Sequence, residues 1–320
     1  MRDGRGPAKG PGTSTANSVD LLLEASAVNA PNAAALRDPD GFLAALTKPA
    51  VSLDPLDVGG RMIARRLWGN SGTGIVLVHG GSAHSQWWDH IGPSIASRHR
   101  VVALDLSGHG NSTYPGTYSF PRWAEEVAAV CDDLARITGR PPLVVGHSMG
   151  GIAALTAAMS IGPSLTGIVV LDPIMRKVSE AEMSMRRERA RRPAPRYDDP
   201  EAAYARFRVI PESAAIPAHM LDHLAKTSLR RYPDGWGWSF DMRIFGQPVV
   251  TAEHLHPLGC PGLVVRAENG RLSPHTAATI VHRAQLTGMT TLEGSGHHIP
   301  LERPDEVVDI TLRAAAEWAR

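Results

Sequence analysis

The stretch Gly146-His-Ser148-Met-Gly150 joins two segments of different character. The apolar run before it, 142–146, predicts a buried strand, and the small residues of 149–160 predict a helix. A serine at a sharp strand-to-helix turn carries its hydroxyl above the sheet, and close packing there admits only tiny flanking side chains, as the two glycines provide. An ordinary strand–helix turn is the alternative. The flanking strand and helix favour a nucleophile at Ser148.

Apolar strands alternate with helices on both sides of this turn. Such alternation predicts a mostly parallel sheet covered by helices on both faces, an α/β fold. The predicted strands are 61–68, 74–79, 100–106, 142–146, 167–171, 261–266 and 288–292, and the predicted helices are 120–137, 149–160, 274–285 and one that begins near 304.

The alternation of strands and helices divides the chain. Residues 175–250 contain no apolar strand, which predicts a helical cap or lid inserted into a core formed by 51–174 and 251–320. Residues 1–50 form an N-terminal extension expected to contribute packing. Its first part, 1–17, is rich in Gly, Pro, Ser and Thr and predicts disorder, and 18–47 predicts two short helices, 19–27 and 41–46.

Composition limits the possible functions. The chain has 320 residues, 43% of them hydrophobic and 20% charged, with a net charge of +1. That balance predicts neither a nucleic-acid partner nor an anionic-membrane partner. Cys131 and Cys260 lack metal-ligand spacing and are expected in the core, and no metal or other cofactor is predicted. Without a signal peptide or a spanning run, a cytoplasmic protein is expected.

A serine hydroxyl needs a base, and Gly296-His297 lies far downstream, after the last predicted strand. With it, the chain resembles the α/β-hydrolase superfamily across residues 61–320. The motifs that carry the resemblance are His79-Gly-Gly, Asp105-Leu-Ser-Gly-His-Gly-Asn-Ser112, Gly146-His-Ser-Met-Gly150 and Gly296-His297 followed by Glu302-Arg-Pro304. The resemblance implies an α/β-hydrolase fold with an inserted helical cap, His297 as the base, and a structural role for the loop that contains Asp105 and His109.

The oxyanion of the reaction needs two backbone N–H groups. The expected donors are Met149, directly after the nucleophile, and Gly81, in the loop after the His79 strand. A glycine at this second position lets the backbone approach the substrate closely. A plain tight turn at His79-Gly-Gly is compatible with the same role.

The triad acid has two candidates in the sequence. Relatives usually carry Asp where this chain has Gly270. Asp172, at the end of strand 167–171, is favoured because some branches of the superfamily, such as dehalogenases and certain lactonases, place their acid there. A capping role before Pro173 is its alternative, and Glu268 is the other candidate acid.

Three further side chains are candidates for the substrate pocket. His84 follows the oxyanion loop, and Trp236 and Trp238 lie in an aromatic cluster of the predicted cap. Core packing is the alternative for each of them.

These features predict a hydrolase that cleaves a carboxylic ester or lactone through an acyl-enzyme, with macrolactones of the mycotoxin type included. The alternatives are a C–C bond hydrolase of ring-cleavage products and a non-catalytic ligand-binding receptor, since one fold hosts many functions. The expected partner is a small-molecule substrate, with a homodimer as a further expectation.

Overall fold

The computed structural model describes residues 36–319, and its centre is an eight-stranded sheet in the order β1-β2-β4-β3-β5-β6-β9-β10. Strand β2 is antiparallel to β1 and to β4, and the other neighbours are parallel. The strands are β1 Val51–Val58, β2 Arg61–Trp68, β3 Gly74–Val78, β4 Arg100–Leu104, β5 Leu143–His147, β6 Gly167–Leu171, β9 Gly262–Asn269 and β10 Gly288–Gly296.

Helices cover both faces of the sheet, as the apolar strands require. One hydrophobic cluster packs α3, α4 and α8 on one face, and a second packs α2 and α10 on the other. The helices are α1 Pro39–Leu46, α2 Gly92–Ile95, α3 Phe120–Thr138, α4 Met149–Ile161, α5 Glu180–Arg191, α6 Pro200–Tyr204, α7 Ala218–Thr227, α8 Pro274–Ala284, α9 Ile299–Glu302 and α10 Pro304–Trp318, with 3-10 turns at Ser85–Trp88, Gly162–Ser164, Met242–Gly246 and Ala252–His254.

Strand β1 was not predicted from the sequence. It is an edge strand, most of its residues are exposed, and a bulge lies between Leu53 and Leu56. Pro55 falls within that bulge, where a missing backbone N–H costs no ladder bond. Without an apolar face and with a proline inside it, this segment lacks the sequence pattern of a strand.

The inserted segment, residues 175–250, lies between β6 and β9 along the chain. It contains α5, α6 and α7, but also an antiparallel hairpin formed by β7 Leu229–Tyr232 and β8 Gly235–Trp238. The sequence predicted no strand here, and the hairpin corrects that expectation. Both strands are four residues long and mostly half-exposed, so neither shows a buried-strand pattern.

Helix α1 belongs to the N-terminal extension and joins it to the inserted segment. Phe42 is 2% exposed and packs with Met220, Leu224 and Leu301 in a third hydrophobic cluster. The Arg37 guanidinium also donates to the Ala215 carbonyl at 2.7 Å. The predicted disorder of 1–17 and the predicted helix 19–27 lie outside the described residues.

Cys131 and Cys260 are both buried and unpaired, as expected for small core residues. Among helices of residues 36–319, none is long and apolar enough to cross a bilayer.

Candidate active site

The turn between β5 and α4 holds Ser148 in a strained backbone conformation, with φ 51° and ψ −116°. Such angles cost a non-glycine residue energy and occur where the surroundings impose them. An ideal Cβ on Gly146 would lie 2.6 Å from the Gly150 carbonyl oxygen, and one on Gly150 would lie 2.3 Å from the His79 carbonyl oxygen. Any larger side chain at either position would displace backbone. The glycines of the motif are therefore required by packing.

Three side chains from separate loops form a hydrogen-bonded chain at the carboxyl edge of the sheet. His297 Nε2 lies 3.0 Å from Ser148 Oγ, and His297 Nδ1 lies 2.7 Å from Asp172 Oδ2. Asp172 is fully buried, and Ser148 and His297 are 7% and 5% exposed. Because a carboxylate can only accept, His297 carries its proton on Nδ1 and presents the Nε2 lone pair to the serine hydroxyl.

Backbone N–H groups surround the Asp172 carboxylate. Its oxygens accept from Arg271 at 2.7 Å, from Leu272 at 3.2 Å and from Ala267 at 3.4 Å. These donors stabilise the negative charge at a site without water access. Asp172 also adopts a left-handed φ of 44°, a conformation that Asp and Asn tolerate better than most residues.

The absence of a side chain at Gly270 leaves room for the Asp172 carboxylate, which directly follows β6. An ideal Cβ on Gly270 would lie 2.5 Å from Asp172 Oδ2 and 2.7 Å from Oδ1. The usual acid position therefore points into the space that the Asp172 carboxylate fills, and the two side chains exclude each other. Glu268, the other candidate, is exposed, and its Oε2 accepts from the Gly294 N–H at 2.7 Å.

The predicted oxyanion donors lie together beside the nucleophile. An ideal Cβ on Gly81 would lie 3.5 Å from Met149 Sδ and 3.8 Å from Met149 Cβ, so the two residues are neighbours. Neither N–H, of Gly81 or of Met149, has a hydrogen-bond acceptor among residues 36–319. Two free donors next to Ser148 are what a developing oxyanion requires.

Two side chains fix the loop that presents His297. His147, the residue before the nucleophile, donates from Nε2 to the His297 carbonyl at 2.8 Å. Glu302 Oε2 accepts from the Gly296 N–H at 2.5 Å. The first contact ties the base directly to the nucleophile turn.

Burial keeps the neighbouring imidazoles uncharged. It lowers the pKa of His79 and lowers that of His147 well below the usual value, and it lowers the pKa of His298 to about 4. Neutral rings around the site add no competing positive charge next to His297. Asp105 accepts from the N–H groups of Ser85 and Asn111 at 2.6 and 2.9 Å, in line with its expected structural role.

His84 makes a second Ser–His contact, of a different kind. Its Nε2 lies 3.0 Å from Ser228 Oγ in the inserted segment, and its Nδ1 accepts from the Gln86 N–H at 3.3 Å. With Nδ1 accepting, Nε2 carries the proton and donates to Ser228, so His84 cannot deprotonate that serine. The pair connects the loop that carries Gly81 to the inserted segment.

The two tryptophans proposed for the pocket contact other residues of the inserted segment. Trp238 packs against Tyr197 and Phe207, with ring centroids 6.0 and 5.6 Å apart, and the Arg231 guanidinium lies 5.6 Å from the Trp236 ring. Neither tryptophan lines the pocket beside Ser148. The residues that line it are His79, Gly80, Trp87, Trp88, His147, His298, Pro300 and Leu301. Trp87 and Trp88 follow the oxyanion loop directly, which is the sequence signal that singles them out.

The sheet order, the strained serine turn and the Ser148–His297–Asp172 chain define the class of this protein, an α/β-hydrolase fold with a triad at the carboxyl edge of its sheet. Residues 75–310 match the profile of the alpha/beta hydrolase family. The chain belongs to this family.

Two curated relatives cover most of the chain, and a third matches a shorter part of it. Esterase Rv0045c of Mycobacterium tuberculosis is 27% identical over 252 residues, 76% of this chain and 83% of that protein. Lipase LipV of the same organism is 26% identical over 261 residues, 76% of this chain and 94% of that protein. Protein phosphatase methylesterase 1 of Mus musculus is 35% identical over 122 residues, 37% of this chain and 32% of that protein.

Solved structures show the same fold. The structure of the M. tuberculosis esterase Rv0045c has a TM-score of 0.69 at 22% identity and covers 93% of this chain and 97% of its own. The structure of E-2-(acetamidomethylene)succinate hydrolase has a TM-score of 0.70 at 20% identity and covers 83% of this chain and 99% of its own. At these identities the likeness shows the fold alone.

Proposed function

We propose that this protein is a serine hydrolase that cleaves carboxylic esters through an acyl-enzyme. The observation that carries the proposal is the buried chain from Ser148 Oγ through His297 to Asp172, at 3.0 and 2.7 Å. Relatives named esterase, lipase and methylesterase support ester chemistry. A ligand-binding receptor would need neither the paired Ser148 hydroxyl nor the free N–H groups beside it.

The reaction follows from the positions of these groups. His297 Nε2 takes the hydroxyl proton as Ser148 Oγ attacks the ester carbonyl carbon, and the N–H groups of Gly81 and Met149 stabilise the oxyanion. The proton then passes from His297 to the leaving alcohol as the C–O bond breaks. A water molecule, deprotonated by His297, attacks the acyl-enzyme. His297 then returns that proton to Ser148 Oγ as the acyl C–O bond breaks and the acid is released. Asp172 holds the imidazole and stabilises its positive charge throughout.

The inserted segment lies where it can control substrate access. The segment contacts the site at two points, Ser228 with His84 at 3.0 Å and the Pro211 carbonyl with His298 Nε2 at 2.8 Å. We infer that it acts as a cap that limits substrate size and excludes water.

A lactone is the second candidate substrate. It is a cyclic ester, so the acid and the alcohol formed by hydrolysis remain in one molecule. The Asp172 position after β6 is the feature that favours it, since certain lactonases of the superfamily place their acid there. The same catalytic groups would open the ring.

The test uses 4-nitrophenyl butyrate and a fluorophosphonate probe with the wild-type chain and Ser148→Ala. We expect wild-type turnover and labelling at one serine, and we expect Ser148→Ala to lose both while its unfolding transition is retained. Removing a triad nucleophile costs on the order of 10⁶ in kcat. Ser228→Ala is the matched control for a buried serine next to a histidine and should still be labelled. Near wild-type turnover by folded Ser148→Ala would refute the proposal.

A further inference from the structure

The small pocket beside Ser148 lies directly against the nucleophile turn. An ideal Cβ on Gly80, in its wall, would lie 3.0 Å from His147 Nδ1 and 3.4 Å from Ser148 Cβ. Trp87 and Trp88 close the pocket from the oxyanion-loop side. A group bound here would lie next to the turn that carries Ser148.

Three nitrogen atoms of the side chains that line this pocket are buried and have no hydrogen-bond partner within residues 36–319. They are Nε1 of Trp87, Nε1 of Trp88 and Nδ1 of His298. Trp88 is 1% exposed and His298 is 5% exposed. Buried polar atoms are nearly always paired, so three unpaired atoms around one pocket point to a polar group of a ligand.

The chemical character of each nitrogen is fixed. His298 Nε2 lies 2.8 Å from the Pro211 carbonyl oxygen, which can only accept, so Nε2 carries the proton. Burial lowers the pKa of His298 to about 4, which leaves the ring neutral and makes Nδ1 an acceptor. Indole N–H groups only donate. The residues that line the pocket thus carry two unpaired donors and one unpaired acceptor.

A hydroxyl group is complementary to that set, since it has one O–H donor and two acceptor lone pairs. The Trp87 and His298 ring centroids are 6.4 Å apart, so one unpaired donor and the unpaired acceptor lie on neighbouring rings. We propose that the pocket binds a hydroxyl group of the substrate, so that the preferred esters carry an alcohol close to the scissile carbonyl. This inference rests on the proposed ester hydrolysis at Ser148.

The experiment compares kcat/KM for matched esters. One pair is 4-nitrophenyl 3-hydroxybutyrate and 4-nitrophenyl butyrate, which places the hydroxyl on the acyl side. The other is 2-hydroxyethyl butyrate and ethyl butyrate, followed by proton release, which places it on the alcohol side. We expect a preference of at least about tenfold for the hydroxylated ester in one pair, because sites built to bind a hydroxyl discriminate against its absence.

Trp87→Phe keeps an aromatic ring and removes the N–H, so the hydroxyl preference should fall to about threefold or less. Trp68→Phe is the matched control. Trp68 Nε1 is also buried without a partner in the described part of the chain, but Trp68 does not line this pocket. The hydroxyl preference of Trp68→Phe should equal that of the wild type. If the pocket holds only an ordered water, the enzyme should hydrolyse plain esters and hydroxylated esters equally well. That result would overturn the inference and leave the proposed function standing. An undiminished preference in Trp87→Phe would overturn it as well. Turnover of no ester would overturn both proposals.

Discussion

Removing the Asp172 carboxylate should disable the site without unfolding it. Asp172→Asn keeps the shape and tolerates the φ of 44°, but the amide cannot serve as the charged acceptor 2.7 Å from His297 Nδ1. The corresponding change in a serine protease triad lowers kcat by about 10⁴. At about 1.36 kcal/mol for each tenfold change, this corresponds to roughly 5 kcal/mol of transition-state stabilisation.

Moving the acid to position 270 tests the assembly of the site more directly. The ideal Cβ of Gly270 lies 2.5 Å from Asp172 Oδ2, so an aspartate at 270 would place its carboxylate in the same space once Asp172 is removed. Gly270→Asp alone should impair the enzyme, because two carboxylates would compete for one volume. The double variant Asp172→Gly/Gly270→Asp should regain on the order of 10² over Asp172→Gly, within the range of a positioned acid–base group.

The assay is kcat on 4-nitrophenyl butyrate, with urea unfolding of each variant to show that the fold is retained. Glu268→Gln is the control for a carboxylate at the neighbouring strand end. It is exposed and bound to the Gly294 N–H, so its kcat should stay within about threefold of wild type. A large loss in Glu268→Gln with little change in Asp172→Asn would refute the assignment. A folded double variant no faster than Asp172→Gly would refute the steric argument about Gly270.

Two further predictions concern the buried histidines. Ser228→Ala removes the acceptor 3.0 Å from His84 Nε2 and leaves a buried N–H unpaired, so the free energy of unfolding should fall by about 1–3 kcal/mol. Ser228→Thr, which keeps the hydroxyl, should lose less; equal stability of Ser228→Ala and wild type in urea would contradict this. Burial lowers the pKa of His90 from 6.5 to about 4. As the pH falls, His90 therefore takes up its proton in the unfolded chain before it does so in the folded chain. Its contribution to the free energy of unfolding is present in full above pH 6.5 and is lost as the pH falls from 6.5 towards 4. The His90 contribution to the free energy of unfolding is at most about 3 kcal/mol. The urea midpoint should drop over this range, less steeply in His90→Gln, and a constant midpoint from pH 7 to 4.5 would count against it.

The sequence by itself determined the parts of this protein that depend on local chain geometry. The turn around Ser148 needs glycines at fixed offsets, because neighbouring backbone leaves no room for a Cβ at Gly146 or Gly150. Buried parallel strands need continuous apolar residues, which made the core strands recognisable. Strand β1 and the hairpin β7–β8 escaped prediction because their residues are largely exposed and no such pattern is required of them.

Only the tertiary structure shows which of the two candidate acids contacts His297. Asp172 and Glu268 both lie near strand ends at the same edge of the sheet. From the local sequence, either carboxylate could contact the His297 ring. The choice depends on contacts between residues far apart in the chain, with His297 125 positions from Asp172 and Gly270 packed against the carboxylate. The pocket of Trp87, Trp88 and His298 is likewise formed by segments that meet only in the folded chain. Contacts of this kind depend on how distant loops pack, which local propensity and spacing do not specify.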